Sequence, residues 1–319
     1  MRLIDMAHEF APVGMTVYGR LHHVRRTVEA LKRNRHAAES ELYIFSDAAK
    51  PGDEEKIADV RAYLRTITGF RKVHVIERSE NNRFRNNQEG RELLLEEYGR
   101  FIFLEEDIVT APTFLAFMND ALVRFRDDPR VLAINGYTPP IEVPSDYVRQ
   151  VMLLPRFAAW GFAIWKEWLD EIEMNVTPAM YRHIHADSQR CREYCVGGND
   201  ILSQLWLQAH GYINALDVRI DYSMFVKGRR YVVCPTRSLA LTTGCDGSGE
   251  HWVKQTDKYE VKLGEYDEFS EADMLVQPDE RIIVKLKEFY SLDIRGRIVL
   301  SAMDAGIYPY WRKLKGWWR

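Results

Sequence analysis

No apolar run in the chain is long enough to span a bilayer. The segment from Met1 to Phe10 lacks the apolar core of a signal peptide. The four cysteines (Cys191, Cys195, Cys234 and Cys245) are too few and too scattered in 319 residues for a disulfide framework. Together these absences give the expectation of a cytoplasmic protein with reduced thiols. Surplus positive charge is missing too: the net charge is -3, which leaves no electrostatic case for nucleic acid as a partner. There is no glycine-flanked nucleophile elbow, so a Ser-His-Asp or Cys-His hydrolase is not indicated. Internal repeats and low-complexity segments are also lacking. What is present is ample core material, 46% hydrophobic residues, enough for one large domain or two.

The most informative stretch is Arg100-Phe101-Ile102-Phe103-Leu104-Glu105-Glu106-Asp107. Its apolar part is too short for a helix and rich in aromatic and branched residues. It reads as a strand buried on both faces, as in a parallel sheet. Three carboxylates then fall at the strand's C-terminal end, where open α/β sheets bind ligands. They repel one another unless a cation sits among them. Oxygen donors suit Mg²⁺ or Mn²⁺, which in turn grip phosphate. In isolation the same triplet would be a solvated acidic turn, so its meaning depends on the rest of the chain.

Pro12 to Tyr18 reads as a first strand, turned by Gly19 and Arg20 into a helix whose apolar face is Val24, Val28 and Leu31. A second strand over 42–45 ends in Ser46 and Asp47. Ile57, Val60 and Leu64 mark the next helix, and 73–76 a third strand followed by a polar loop containing Asn81 and Asn82. Residues 88–98 read as a helix before the acid-tipped strand, and 131–136 as a fifth strand. Strands alternating with helices of this length predict βαβ units and a mostly parallel sheet. Its strand tips then carry Arg20, Asp47, Asn81 and Asp107 along one edge. An arginine, an acid able to take hydrogen bonds from a base or ribose, and a metal-binding acid suit a nucleoside diphosphate. Each alone would be a cap or surface turn; their shared position is what points to a site.

Three segments carry a family resemblance: Thr16-Val17-Tyr18-Gly19-Arg20, Tyr43 to Asp47, and Phe103 to Pro112. The chain resembles nucleotide-sugar glycosyltransferases of the GT-A fold, in particular N-acetylglucosaminyltransferase I and its bacterial relatives, over residues 10–255. The resemblance implies a Rossmann-like, mostly parallel α/β sheet flanked by helices. It implies a UDP-sugar donor, Mn²⁺ or Mg²⁺, and a glycan or lipid-linked glycan acceptor in polysaccharide or glycoconjugate synthesis. In that family the metal-holding Asp matches Asp107, the diphosphate-binding arginine Arg20, and the uracil-binding acid Asp47. The middle acid of the triplet, Glu106, departs from the family's Asp. Thr16, Tyr18, Asn81, Glu105, Glu106 and Ser248 are placed at the nucleotide by the same resemblance.

In the second half, Arg156 to Trp165 is similar to the family segment lining the acceptor side. Trp160 and Phe162 are either a platform for sugar rings or ordinary core aromatics. His183, His185, Cys191 and Cys195 have no common zinc-module spacing and read as a polar helix with two ordinary thiols. Asp200, behind Gly197 and Gly198 at a helix start, is either a cap or, as the resemblance implies, the general base of an inverting transfer, with Glu193 and Asp187 as fallbacks. The run from Thr243 to His251 holds Gly244, Gly247 and Gly249. It reads as a mobile loop approaching phosphates, with Ser248 at the nucleotide and His251 at the metal. A glycosyltransferase domain over 1–255 and a C-terminal extension over 256–319 are expected. The basic, aromatic tail 307–319 suits peripheral contact with the inner face of a membrane, or a protein partner. Two other functions compete: a sugar nucleotidyltransferase, whose Gly-rich triphosphate loop residues 12–20 do not supply, and an inactive sugar-nucleotide-binding protein.

Overall fold

The computed structural model describes residues 10–228, 231–248 and 256–310. In chain order the first half runs β1 (Val13–Val17), α1 (Leu21–Lys32), β2 (Glu41–Ser46), α2 (Glu54–Leu64), β3 (Lys72–Glu77), α3 (Arg83–Tyr98), β4 (Arg100–Glu105), β5 (Ile108–Thr110), α4 (Phe114–Arg124) and β6 (Val131–Asn135). Then follow β7 (Val151–Leu154), β8 (Phe162–Trp165), α5 (Lys166–Leu169), α6 (Pro178–His185), α7 (Ser188–Tyr194), α8 (Asp200–Ala209), α9 (Leu216–Val226), β9 (Tyr231–Pro235), β10 (Ala240–Thr242), α10 (Glu271–Met274), α11 (Glu280–Phe289) and α12 (Ile294–Asp304).

The expected mixed α/β fold, a large central sheet flanked by helices, is the observed one. The eight strands of that sheet run β3-β2-β1-β4-β8-β6-β9-β7. β1 to β4 are mutually parallel, as are β6 and β9, whereas β8 is antiparallel to both β4 and β6 and β7 to β9. β4 shows why the sheet is buried on both faces. Ile102 and Leu104 pack into one hydrophobic cluster and Phe101 and Phe103 into the other, on opposite sides of the sheet. Parallel β1 to β4 put their C-terminal ends along one edge, so Arg20, Asp47, Asn81 and the acidic turn are brought together by topology.

Two elements depart from the sequence reading. α3 starts at Arg83 rather than 88, because Asn82 caps it: its side chain accepts from the Arg85 backbone N–H at 3.0 Å. The segment after Trp160 is a central strand, β8, with every residue buried. The chain beyond residue 255 packs onto the same cores as the rest. Tyr266, Phe269 and Val276 join the cluster around α4, and Ile282 and Leu286 of α11 join the opposite one. No helix among the described residues is long and apolar enough to cross a membrane.

Candidate active site

A cleft of about 750 Å³ opens at the edge where β1 to β4 end. Its floor is the acidic turn. The turn is fixed from two sides: the Thr27 hydroxyl of α1 donates to the Glu106 carbonyl at 2.7 Å, and the Thr243 N–H donates to the Asp107 carbonyl at 2.8 Å. Thr243 arrives there because β5, directly after the turn, pairs with β10. Gly244 follows, and only glycine fits: a Cβ there would stand 2.1 Å from Asp107 Oδ2.

Arg20 reaches over this floor. Its Nε donates to Glu106 Oε1 at 2.6 Å and its Nη2 to Asp107 Oδ2 at 2.7 Å. The other Glu106 oxygen accepts the Tyr18 N–H at 2.5 Å. Glu106 is therefore consumed in holding the β1 tip and Arg20. Burial pulls the Arg20 guanidinium downward, but Asp107 and Glu106 outweigh it and hold its pKa above the usual value. Burial raises the Glu106 carboxyl despite the Tyr18 amide and Arg20. Glu105 meets the water of the cleft, yet protein walls surround it. That desolvation, with Asp107 beside it, pushes its pKa up to about 7 against the pull of Arg83 and Arg20. The floor sets three carboxyl groups around one arginine, which pairs with two of them.

Asp47 is buried at the tip of β2, and its carboxylate accepts from the Ala48 N–H at 2.9 Å, the Asn82 N–H at 3.1 Å and Asn81 Nδ2 at 3.1 Å. It ties the β2 tip to the loop before α3 while lining the cleft. Three of a carboxylate's roughly four acceptor positions are so used. Tyr18 donates its hydroxyl to Asp53 Oδ2 and accepts the Lys50 N–H, each at 2.9 Å, pinning the loop after β2. Thr16, Tyr18, Arg20, Asp47, Asn81, Glu105, Glu106, Asp107, Ser248 and Trp160 all border the cleft. Lys50, Lys56, Arg83 and His22 border it as well. These were missed in the sequence; His22, Lys50 and Arg83 stand two or three residues from Arg20, Asp47 and Asn81, whereas Lys56 reaches the cleft from within α2 and had no such signal.

The acceptor-side expectations divide. Trp160 faces the cleft, braced edge-on by Tyr137 and Tyr259 with ring centroids 4.7 and 5.3 Å away. Phe162 does not: it is 2% exposed, packed among Phe101, Phe103 and Phe157. As an inward residue of a central strand it has no face for a sugar, which corrects its assignment to a platform. Asp200 opens α8 but does not line the cleft. Its oxygens accept from Arg156 Nη1 at 2.7 Å and Nη2 at 2.9 Å, and Oδ2 also from Gln204 at 3.0 Å. Arg156 lies 3.6 Å over the Tyr290 ring. Nearby, Asp221 accepts the Phe157 N–H at 2.8 Å; burial pushes its pKa up to about 7, against the pull of Arg156.

The fallback acids are engaged elsewhere. Asp187 caps α7, accepting from the Gln189 and Arg190 N–H groups at 2.8 and 3.2 Å, and Glu193 accepts from Gln189 Nε2 at 3.1 Å. Neither lines the cleft. His183 contacts Arg190 and His185 pairs with Asp304, so they and the two thiols form no metal-ligand cluster among the described residues. Ser248 donates to Asp246 Oδ1 at 2.6 Å and lies 3.5 Å from Arg20 Nη1, which brings the glycine-rich loop to the floor. His251 lies outside the described residues.

No protein-family model and no curated protein sequence matches the chain. Among solved structures it is similar to a mannosyltransferase from Pyrobaculum calidifontis in complex with GDP-Man and Mn2+, at 18% identity over 50% of this chain and 45% of that one, TM-score 0.36. It is similar to S. aureus TarS at 9% identity over 73% and 36%, TM-score 0.37. It is similar also to mouse xyloside xylosyltransferase 1 in its apo form, at 12% identity over 70% and 83%, TM-score 0.37. The chain thus spans less than half the length of the first two. Likenesses of this extent do not bear on activity; the residues of the cleft do.

Proposed function

We propose that the protein is a metal-dependent glycosyltransferase of the GT-A type, using a UDP-sugar, with UDP-N-acetylglucosamine the first donor to test, and a glycan hydroxyl as acceptor. The observation that carries this is the single cleft edge on which topology collects a base-binding acid, an arginine and an acidic turn. A divalent cation suits the turn: Glu105 and Asp107 offer oxygen donors only, and of the three acids there Arg20 pairs with Glu106 and Asp107 alone. Bound there, Mn²⁺ or Mg²⁺ would act as a Lewis acid on the departing diphosphate. The chain's own residues would do the rest. Asp47 would accept from the base, Lys50, Lys56 and Arg83 would meet phosphate oxygens, and Trp160 would face the acceptor's apolar ring surface.

Inversion with Asp200 as general base is part of the same proposal. Arg156 now holds both Asp200 oxygens, so one must be released before it takes the acceptor proton. Asp200→Asn should leave nucleotide binding intact and cut kcat by about 10² to 10⁴, the usual weight of a general base. Near-normal turnover, or a product of retained configuration, would remove Asp200 from this role. Peripheral contact of the tail 307–319 with an anionic membrane belongs to the proposal as well; residues 311–319 lie outside the described residues.

The test of the whole reading is a thermal-shift series with UDP-, GDP-, CMP- and dTDP-sugars, each with and without Mn²⁺. A ligand that binds the folded state raises stability with the logarithm of its concentration over Kd. A UDP-sugar with Mn²⁺ should give the largest shift, followed by slow UDP release without acceptor. No shift with any nucleotide sugar would overturn the reading, and a shift without turnover would favour the inactive binding protein.

A further inference from the structure

We propose that His22, His23 and Asp246 form a second metal site, separate from the acidic turn, that takes a first-row divalent cation of the zinc class. The three residues come from distant parts of the chain. His22 and His23 lie in the first turn of α1, and Asp246 in the glycine-rich loop after β10. One donor atom from each lies within 4.8 Å of the others, the only such set of three or more His, Cys, Asp or Glu side chains among the described residues. The two imidazoles lie side by side, with centroids 4.0 Å apart and planes tilted by 39°. His23 Nε2 stands 3.2 Å from Asp246 Oδ2, the spacing of two adjacent ligands on one ion whose bonds are about 2.0–2.2 Å long.

The hydrogen bonds around His23 accommodate the tautomer that a metal ion needs. Thr243 Oγ1 lies 3.1 Å from the Asp107 carbonyl, to which it can only donate, and 2.8 Å from His23 Nδ1. When Thr243 keeps its one proton on that carbonyl it accepts from His23 Nδ1–H, which leaves a lone pair on Nε2; the alternative tautomer has Thr243 donate to Nδ1 and Nε2–H donate to Asp246. That lone pair faces two oxygens, Asp246 Oδ2 at 3.2 Å and Ser248 Oγ at 3.3 Å. Ser248 cannot satisfy it, because its hydroxyl donates to Asp246 Oδ1 at 2.6 Å. In this tautomer three acceptors are turned toward one another, and a second proton or a metal ion resolves them. His23 is 1% exposed, and Arg20, already charged, reaches the same loop at Ser248, so the second proton would be a buried cation beside another. A metal ion satisfies all three groups. The Thr243 bond is then the outer-shell contact that orients a histidine ligand.

Two imidazoles and a carboxylate favour zinc and its neighbours over Mg²⁺, and place Zn²⁺ above Mn²⁺ in affinity. This separates the site from the all-oxygen turn by chemistry as well as by residues. His22 borders the cleft, so a fourth position on the ion is reachable from it. The inference does not rest on the transferase reading.

The test uses the full chain without a histidine tag and without nucleotide. Zn²⁺ binding is followed by calorimetry and Co²⁺ binding by its visible absorption. One equivalent of each should bind. His22→Ala and Asp246→Asn, both at exposed side chains, should each weaken binding at least about tenfold, and Thr243→Val should weaken it by about 10- to 100-fold. Asp107→Asn should leave it unchanged. Failure of Zn²⁺ and Co²⁺ to bind, or binding indifferent to His22 and Asp246, overturns the proposal. Equal loss in Asp107→Asn and Asp246→Asn overturns it too, since the ion would then belong to the acidic turn.

Discussion

The molecule holds its charge in two ways. At the cleft edge, Glu106 and Asp107 share Arg20, and Glu105 beside them stands open to solvent and ligand without a bond to that arginine. Behind the cleft, Arg156 is enclosed between Asp200 and the Tyr290 ring, with Asp221 close by. The first arrangement leaves one acid outside the ion pairs of Arg20; in the second the bidentate pair matches one charge with another. An acid exposed in a cleft is free to receive a ligand, whereas a matched, largely enclosed pair stabilises the fold for as long as it stays closed. Disrupting the cleft edge should therefore cost binding, and disrupting the Arg156 cluster should cost stability.

The largest effect is expected behind the cleft. Arg156→Leu strands Asp200 and Asp221 without their cation, and for a largely enclosed pair the cost is about 3 kcal/mol, the low end of the range for a buried one. Urea denaturation measures it. A loss under about 1 kcal/mol, the range of a surface ion pair, would abolish the contrast drawn above. Next comes the cleft. Asp107→Ala should lower nucleotide–Mn²⁺ affinity by about 100-fold or more, beyond the cost of an outer-shell partner, while thermal stability stays level or rises as repulsion among the acids falls. Calorimetry with UDP and Mn²⁺ checks the first part. Unchanged affinity would show that the turn holds no ion.

The smallest effect sharpens the comparison through pH. Asp221 has a folded pKa of about 7, above the ordinary carboxylate value of about 4. Between these values the folded state keeps a proton that the unfolded chain has lost. Stability from this group is thus present below the ordinary value and falls as pH rises toward 7, on the order of 1 kcal/mol per pH unit in that window. Asp221→Asn should flatten this slope in chemical denaturation at pH 5 and pH 7.5. An unaltered slope would mean that Arg156 already compensates Asp221 in full.

The legibility of these two regions differed for the same reason that their physics differs. The cleft residues at the strand tips follow a strand within a few positions, so finding the strand finds the residue. Arg20, Asp47, Asn81 and Asp107 needed only the parallel order of β1 to β4 to meet. Arg156, Asp200 and Asp221 lie in a loop and two helices, and no local pattern says that they touch. Phe162 was misassigned because a short aromatic run reads alike as a strand interior or an exposed platform until its neighbours are known.

The sequence by itself determined the alternation of strands and helices, the buried β4 strand and the acids at its tip, because these follow from local periodicity and from the two faces of a parallel sheet. Tertiary structure alone decided that β8 runs antiparallel through the middle of the sheet, that Arg156 occupies both oxygens of Asp200, and that His22 and His23 meet Asp246. Those contacts join residues 44 to about 220 positions apart. Nothing in the local chain selects them; they exist because the packed core fixes where each element ends, and so which side chains face one another there.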